Sequence, residues 1–228
     1  MRVKASGIAV VLTLPVLLAG AACGTSHAPA ASEASRAQAP LWRAALEAGD
    51  VPDYRLFADP APGDAEGTPR ADRAACAPLA EVMGERPDDR ARETVSRGLG
   101  SRRVPGLAVS ASLSAYAEAD AHRLITALKD ALAHCVSGFS TILDGRRAGY
   151  RDVRALPYEV KGAESVSWTA TAHNQGVPAP VHIVVVRQGA NIARFMAIDL
   201  SPQAPATVTV PHDIADKQLD KLARTVRD

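Results

Sequence analysis

Between residues 107 and 116 the chain alternates, with Leu107, Val109, Ala111, Leu113 and Ala115 on one parity and Ala108, Ser110, Ser112 and Ser114 on the other. A repeat of two puts successive side chains on opposite faces, so this stretch predicts a strand with one apolar and one polar face. Residues 119–136 repeat differently: Ala121, Leu124, Ile125, Leu128, Leu132 and Cys135 fall on one stripe of a helix, which predicts a helix packed on the sheet. The same spacing predicts helices at 41–46, where Gly49 can end the run; at 76–83; at 88–99, through Ala91, Val95 and Leu99; and at 213–226, through Ala215, Leu219, Leu222 and Val226. Residues 51–57 read as a bend into an extended segment. Further strands are expected at 151–160, at 165–173 with Val166, Trp168, Ala170 and Ala172 inward, at 181–187, and at 192–200. Turns at Asn174-Gln175-Gly176 and at 188–191 join the last three into an antiparallel meander. The class is α+β, helices packed against an antiparallel sheet.

The first residues follow another logic. Arg2 and Lys4 precede an apolar run at 8–18 and small residues at 19–22, the three-part form of an export signal. That run is about half of the roughly 20 residues a spanning helix needs. The cleavage region, Gly20-Ala21-Ala22-Cys23, resembles the bacterial lipobox, with Gly20 standing where that pattern has an aliphatic residue. It predicts a diacylglyceryl thioether on Cys23, the first residue of the mature chain, and hence a membrane partner through the lipid anchor. The alternative is ordinary cleavage after Ala21, which leaves Cys23 as a free thiol. Residues 24–40 are Ala, Ser, Pro and His with almost no large apolar side chain, and so read as a tether with a root-mean-square span of roughly 20–25 Å. The expected organisation is signal peptide 1–22, lipidated cysteine and tether 23–40, and one folded domain 41–228, on the outer face of the cytoplasmic membrane.

Cysteine usage agrees with that compartment. Three cysteines divide into Cys23 for lipid and Cys76 with Cys135 for one disulfide, which persists only where conditions are oxidising; two unpaired buried thiols are the other reading. Of 26 basic residues, loss of Arg2 and Lys4 leaves 24 against 25 acidic ones, with no basic cluster, so nucleic acid is not an expected partner.

The sequence has no Gly-x-Ser-x-Gly elbow, Ser-x-x-Lys or His-Glu-x-x-His. His27, His122, His134, His173, His182 and His212 have the spacing of scattered surface histidines, and neither a metal nor a cofactor is expected. Glu118 and Asp120, beside His122, stand where a helix begins and suit its exposed amides. Two residues carry a speculative ligand role: Trp42, which either packs on the sheet or lines a cleft, and Arg187, a cation at the end of a buried strand.

The order of these features resembles the extracellular sensor-domain family of PknH-like receptor kinases, a family that also supplies free-standing actinobacterial lipoproteins. The resemblance runs from Leu41 to the C-terminus. It rests on Asp50-Val51-Pro52 with Tyr54, Cys76 with Pro78 and Leu79, the strand ending at Tyr116, the segment from Ala121 through Cys135 with Phe139, Glu164-Ser165-Val166 before Trp168, and Val185-Val186-Arg187-Gln188-Gly189 before Asn191. It implies a twisted antiparallel sheet with helices on one face, a cleft for an unknown small-molecule or protein ligand, and bracing disulfides, of which this chain can form one where kinase members have two. No kinase domain is present. The function expected is therefore non-enzymatic binding of an envelope ligand or partner, with a lipid or glycolipid carrier and a cell-wall-modifying enzyme as the rivals.

Overall fold

The computed structural model describes residues 40–57, 68–84, 89–143, 145–160, 164–174, 177–201 and 207–225. Helix α1 (Pro40–Ala44) leads to β1 (Tyr54–Phe57) and β2 (Arg70–Ala71), and a single 3-10 turn (Ala74–Cys76) then runs into α2 (Ala77–Met83). Next come β3 (Glu93–Ser101), β4 (Leu107–Ala115), α3 (Glu118–His134), β5 (Phe139–Leu143), β6 (Arg146–Ala155), β7 (Glu164–Asn174), β8 (Val177–Gln188), β9 (Asn191–Asp199) and α4 (His212–Thr225). The nine strands make one antiparallel sheet in the order β1-β3-β4-β9-β8-β7-β6-β5-β2, which contains the expected meander.

The helix expected at 88–99 is not what the described residues form: 89–92 lead into β3 and 93–99 make up most of it, with β3 paired to β4 from Glu93↔Ala115 to Gly100↔Ala108. Val95 and Leu99 are both buried, as predicted, but a separation of four puts two residues on one face of a strand as well as of a helix. The β-branched pair Thr94 and Val95, and a complementary strand waiting at 107–115, decide for the sheet. The strand expected at 151–160 also moves, to Arg146–Ala155, with a register shift between Arg151 and Arg154 where Asp152 has φ 53°. That bulge turns Val153 inward, fully buried, on a strand whose other residues are mostly exposed, so neither β6 nor its hairpin partner β5 carries the alternation that would have announced it.

The α+β class holds, whereas the placement of every helix on one face does not. In β8, Val184 and Val186 join a core built with α1 and α4, while Ile183 and Val185 join a second core built with α3. Consecutive residues of a strand point to opposite faces, so helices cover both sides, and this is why 181–187 is apolar throughout. The polar face of β4 is likewise covered: Ser112 and Ser114 are buried, and Ser114 shares a 2.7 Å hydrogen bond with Thr94. Arg194 on β9 closes that side. Its guanidinium donates to the carbonyls of Val82 (2.8 Å) and Gly84, the otherwise open C-terminal end of α2, and to Ser110 Oγ at 3.0 Å.

These contacts also show that the sheet rolls around α3. Along the sheet β2 lies five strands from β9, about 24 Å at ordinary strand spacing. Yet Pro69, next to β2, packs so closely on Gly84 that a Cβ there would sit 2.6 Å from it, and the Gly84 carbonyl receives the Arg194 side chain. The disulfide lies inside the roll. Cys76 and Cys135 are bonded with their Cα atoms 5.9 Å apart and neither sulfur exposed, because α2 lies alongside α3 as the pairing required.

On the opposite face the chain from α1 to β1 is clasped by α4. Gln218 accepts the Leu46 N–H (3.1 Å) and donates to the Ala44 carbonyl (2.6 Å), which ends α1 several residues before Gly49. Asp50 accepts the Glu47 N–H at 2.8 Å and pairs with Lys221 (2.7 Å) and Lys217 (3.4 Å). Its partial burial favours the neutral acid, but these donors outweigh that and hold the carboxyl below its ordinary value.

The turn from α3 into β5 admits only glycine. Gly138, at φ 91°, leads from α3 into β5, and a Cβ there would lie 2.3 Å from the Tyr150 carbonyl oxygen. Gly138→Ala is expected to destabilise the domain by about 2 kcal/mol, since strain and a backbone clash coincide; chemical denaturation that gives an unchanged midpoint would contradict this.

Candidate functional site

Among the residues singled out in the sequence, Trp42 and Arg187 lie on opposite faces of the sheet and do not share a cleft. Trp42 is half-buried against the core of α1 and α4, with the Arg97 guanidinium 4.8 Å above its ring and Arg97 Nε donating to the Leu46 carbonyl at 3.1 Å. Arg187 stands on the α3 side. It pairs with Glu164 at 3.0 Å and donates to the Gly189 carbonyl at 3.2 Å, while Lys129 of α3 reaches the same carboxylate at 2.7 Å. Lys129, Arg187 and their hydrogen bonds keep Glu164 below the ordinary carboxylate range. Glu118 and Asp120 occupy the first turn of α3, and Asp120 pairs with Arg123. Cys23 lies outside the described residues.

His182 is not the surface histidine its spacing suggests: it is fully buried in β8. Its Nδ1 accepts the Val210 N–H at 2.8 Å, so the proton of the neutral ring sits on Nε2, which donates to Ser167 Oγ at 2.8 Å. A nucleophilic serine needs the reverse, an imidazole nitrogen free to take the hydroxyl proton. The pair is therefore a tie between β7, β8 and the segment before α4, and Tyr158 roofs it, stacked on His212 with ring centroids 4.2 Å apart. Burial, with a smaller contribution from His212, pushes His182 down to about 4. The missed signal was parity, since His182 shares a face with Val184 and Val186 on a strand that is apolar on both sides.

A different place forms an open recess. On the α3 side of the sheet, beyond the cover of the helices, β1 and β3 present a recess of about 420 Å³ lined by Arg55, Phe57, Gly100, Ser101 and Arg102. Phe57 is 50% exposed and lies across Gly98 and Gly100; a Cβ on Gly100 would come within 2.7 Å of its ring. The two glycines thus lay a flat backbone floor beneath an aromatic wall. Arg55 and Arg102 make no ion pair among the described residues, unlike Arg103, which is held by Asp53 at 2.9 Å. Ser101 Oγ is occupied, accepting the N–H groups of Arg103 and Val104 at 3.2 and 2.9 Å. The lining therefore offers two cations, a ring and peptide groups, but no base beside a nucleophile. None of these residues stood out in the sequence, because the recess is made by pairing Arg55 with Gly100 across strands far apart in the chain.

The fold defines an α+β domain with a rolled antiparallel sheet and, at one margin, an open recess lined by two arginines and a phenylalanine. The chain is similar in structure to the extracellular domain of PknH from Mycobacterium tuberculosis, at 10% identity and a TM-score of 0.49, over 82% of this chain and 95% of that one. It is also similar to a putative uncharacterized protein, an Rv0999 ortholog, from Mycobacterium smegmatis, at 14% identity and a TM-score of 0.43, over 78% of this chain and 90% of that one. No protein-family model matches the chain, and no curated protein matches it.

Proposed function

We propose that this chain is a non-enzymatic binding domain that works outside the cytoplasmic membrane, held there by lipid on Cys23, and that takes an anionic envelope ligand in the recess between β1 and β3. The observation that carries the compartment is the buried Cys76–Cys135 bridge, which suits an oxidising space and no cytosolic one. The signal-like N-terminus and the sequence resemblance to PknH-like sensor domains point the same way. For the ligand, support comes from the guanidinium groups of Arg55 and Arg102, which make no ion pair among the described residues, beside an exposed ring, a set that attracts an anion carrying an apolar or planar part.

Two measurements test the reading. A Cys23→Ala variant is expected to leave the membrane fraction and enter the medium, and retention in the membrane would defeat the anchor. Native purification followed by mass spectrometry should recover an anionic small molecule that is lost when Arg55 and Arg102 are both changed to Gln. Turnover of a peptidoglycan or acyl-ester substrate, abolished by one point mutation, would replace the binding reading with an enzymatic one.

A further inference from the structure

The turn between β3 and β4 reads Arg102-Arg103-Val104-Pro105-Gly106, and it is held more firmly than a solvated loop requires. Ser101 Oγ takes the N–H groups of Arg103 and Val104, the Val104 carbonyl accepts the Leu107 N–H at 3.2 Å, and Arg102 N–H bonds the Asp53 carbonyl at 2.8 Å. The end of β9 is fastened to the same turn. Leu200 N–H bonds the Gly106 carbonyl at 3.0 Å, and Gly106, at φ 93°, lets Ser201 approach to where a Cβ would be 2.7 Å away. What these bonds present is apolar: Val104 is 46% and Leu200 66% exposed. One exposed aliphatic side chain is ordinary. Here one stands in the braced turn beside Arg102 and Arg103 and the other on the residue hydrogen-bonded to that turn, which makes a small surface of mixed apolar and cationic character on a backbone set in advance.

We infer that this tip is a bilayer-contact surface, in which Val104 and Leu200 enter the interface of a membrane with anionic headgroups while Arg102 and Arg103 meet the headgroup phosphates. The inference rests on the anchoring part of the proposed function. A lipid on Cys23 and the tether that the sequence suggests at 24–40 would hold the domain at a root-mean-square distance of roughly 20–25 Å from the bilayer, so even a weak contact would be populated through its high effective concentration. Charge selects the bilayer as the occupant. The cations flank the aliphatic side chains, the Arg102 guanidinium has no ion pair among the described residues, and the Arg103–Asp53 pair, with side chains 75% and 38% exposed, is of the solvated kind that a phosphate can displace. Contact there would orient the domain on the membrane with the recess, which shares Arg102, beside the headgroups.

The test uses the mature chain carrying Cys23→Ala, so that no acyl group contributes, and vesicles of phosphatidylglycerol mixed with phosphatidylcholine or of phosphatidylcholine alone. Co-sedimentation is expected with the mixed vesicles, weakening as salt is raised, and falling about tenfold or more in a Val104→Asp, Leu200→Asp double variant. An Arg102→Gln variant should bind several-fold less and show a shallower dependence on salt. Circular dichroism and melting serve as the folding control for both. Equal sedimentation of the double variant and its parent, equal binding to both kinds of vesicle, or no sedimentation at all would overturn the inference, as would a dimer that depends on Leu200 and ignores vesicles. Because the probe carries no lipid, its result is independent of whether Cys23 is acylated in the cell, which the membrane-fraction experiment reads separately.

Discussion

Replacing both Cys76 and Cys135 by Ala is expected to lower the stability of the folded domain by about 4 kcal/mol, because the bridge closes a loop of 59 residues and its removal restores that freedom to the unfolded chain. For a domain of this size that is roughly 10 °C in melting temperature. The loss concentrates on the α3 side of the sheet, where the two sulfurs join Leu79, Ala80, Leu128 and Leu132 in one core and hold α2 against α3. With the bridge gone, α2 would be kept in place chiefly by its own apolar contacts and by Arg194 at its C-terminal end. Melting of the oxidised protein, the reduced protein and the double Ala variant measures this directly. The last two should agree; a variant as stable as the oxidised protein would mean that the bridge contributes nothing.

The second large effect concerns acid. An unfolded histidine gains its proton near pH 6.5, whereas burial, helped by His212, keeps the native His182 neutral until about pH 4. Between those values the unfolded state binds a proton that the folded state refuses. Stability should therefore be level above about pH 6.5, fall by about 3 kcal/mol as the pH drops to about 4, and lose nothing further from this residue below that. Asp50 acts in the same direction at lower pH: its native carboxyl titrates below the usual value, so its contribution is intact above about pH 4 and disappears only on stronger acidification. The two steps are separable. A His182→Leu variant leaves the Val210 N–H and Ser167 hydroxyl without their partner and should be less stable at pH 7, yet its stability should be nearly flat between pH 6.5 and 4. Urea denaturation across that range checks both; an unchanged slope in the variant would remove His182 from the account.

What could be read in the chain, and what could not, follows from how many faces each segment buries. The stripe from Ala121 to Leu132 and the alternation at 107–115 each contrast a core side with another side, and both became the elements they predicted. The run at 181–187 also announced itself, as a strand covered on both faces. Residues 93–101 failed because a spacing of four suits a helix and a strand equally, and β5 and β6 failed because strands near the margin bury few side chains and show little pattern. The disulfide could be deduced from counting, since once Cys23 was assigned to lipid only one pairing was left. The recess could not. Its parts come from β1 and β3, and an arginine, a phenylalanine and a glycine acquire joint meaning only when antiparallel register sets Phe57 over Gly98 and Arg55 against Gly100. His182 lay between these cases: its strand was identified, but a polar residue on a doubly covered strand had to be buried and tied, and that step was available from the sequence.

The two margins of the sheet carry a consequence of their own. Among the described residues one ends in the four residues of β1 and the other in the two of β2, so neither outermost strand itself offers a long row of amides and carbonyls. A neighbouring chain that added a strand to either outermost strand would find only four or two residues to pair with there, which limits edge-to-edge growth. The guard at the β2 side is the thinner one, because Arg70 and Ala71 pair with Ile142 and Thr141 alone, and Ile142 is already 44% exposed. Trimming those two residues would uncover β5, and self-association through that strand is the failure such a truncated chain would be expected to show first.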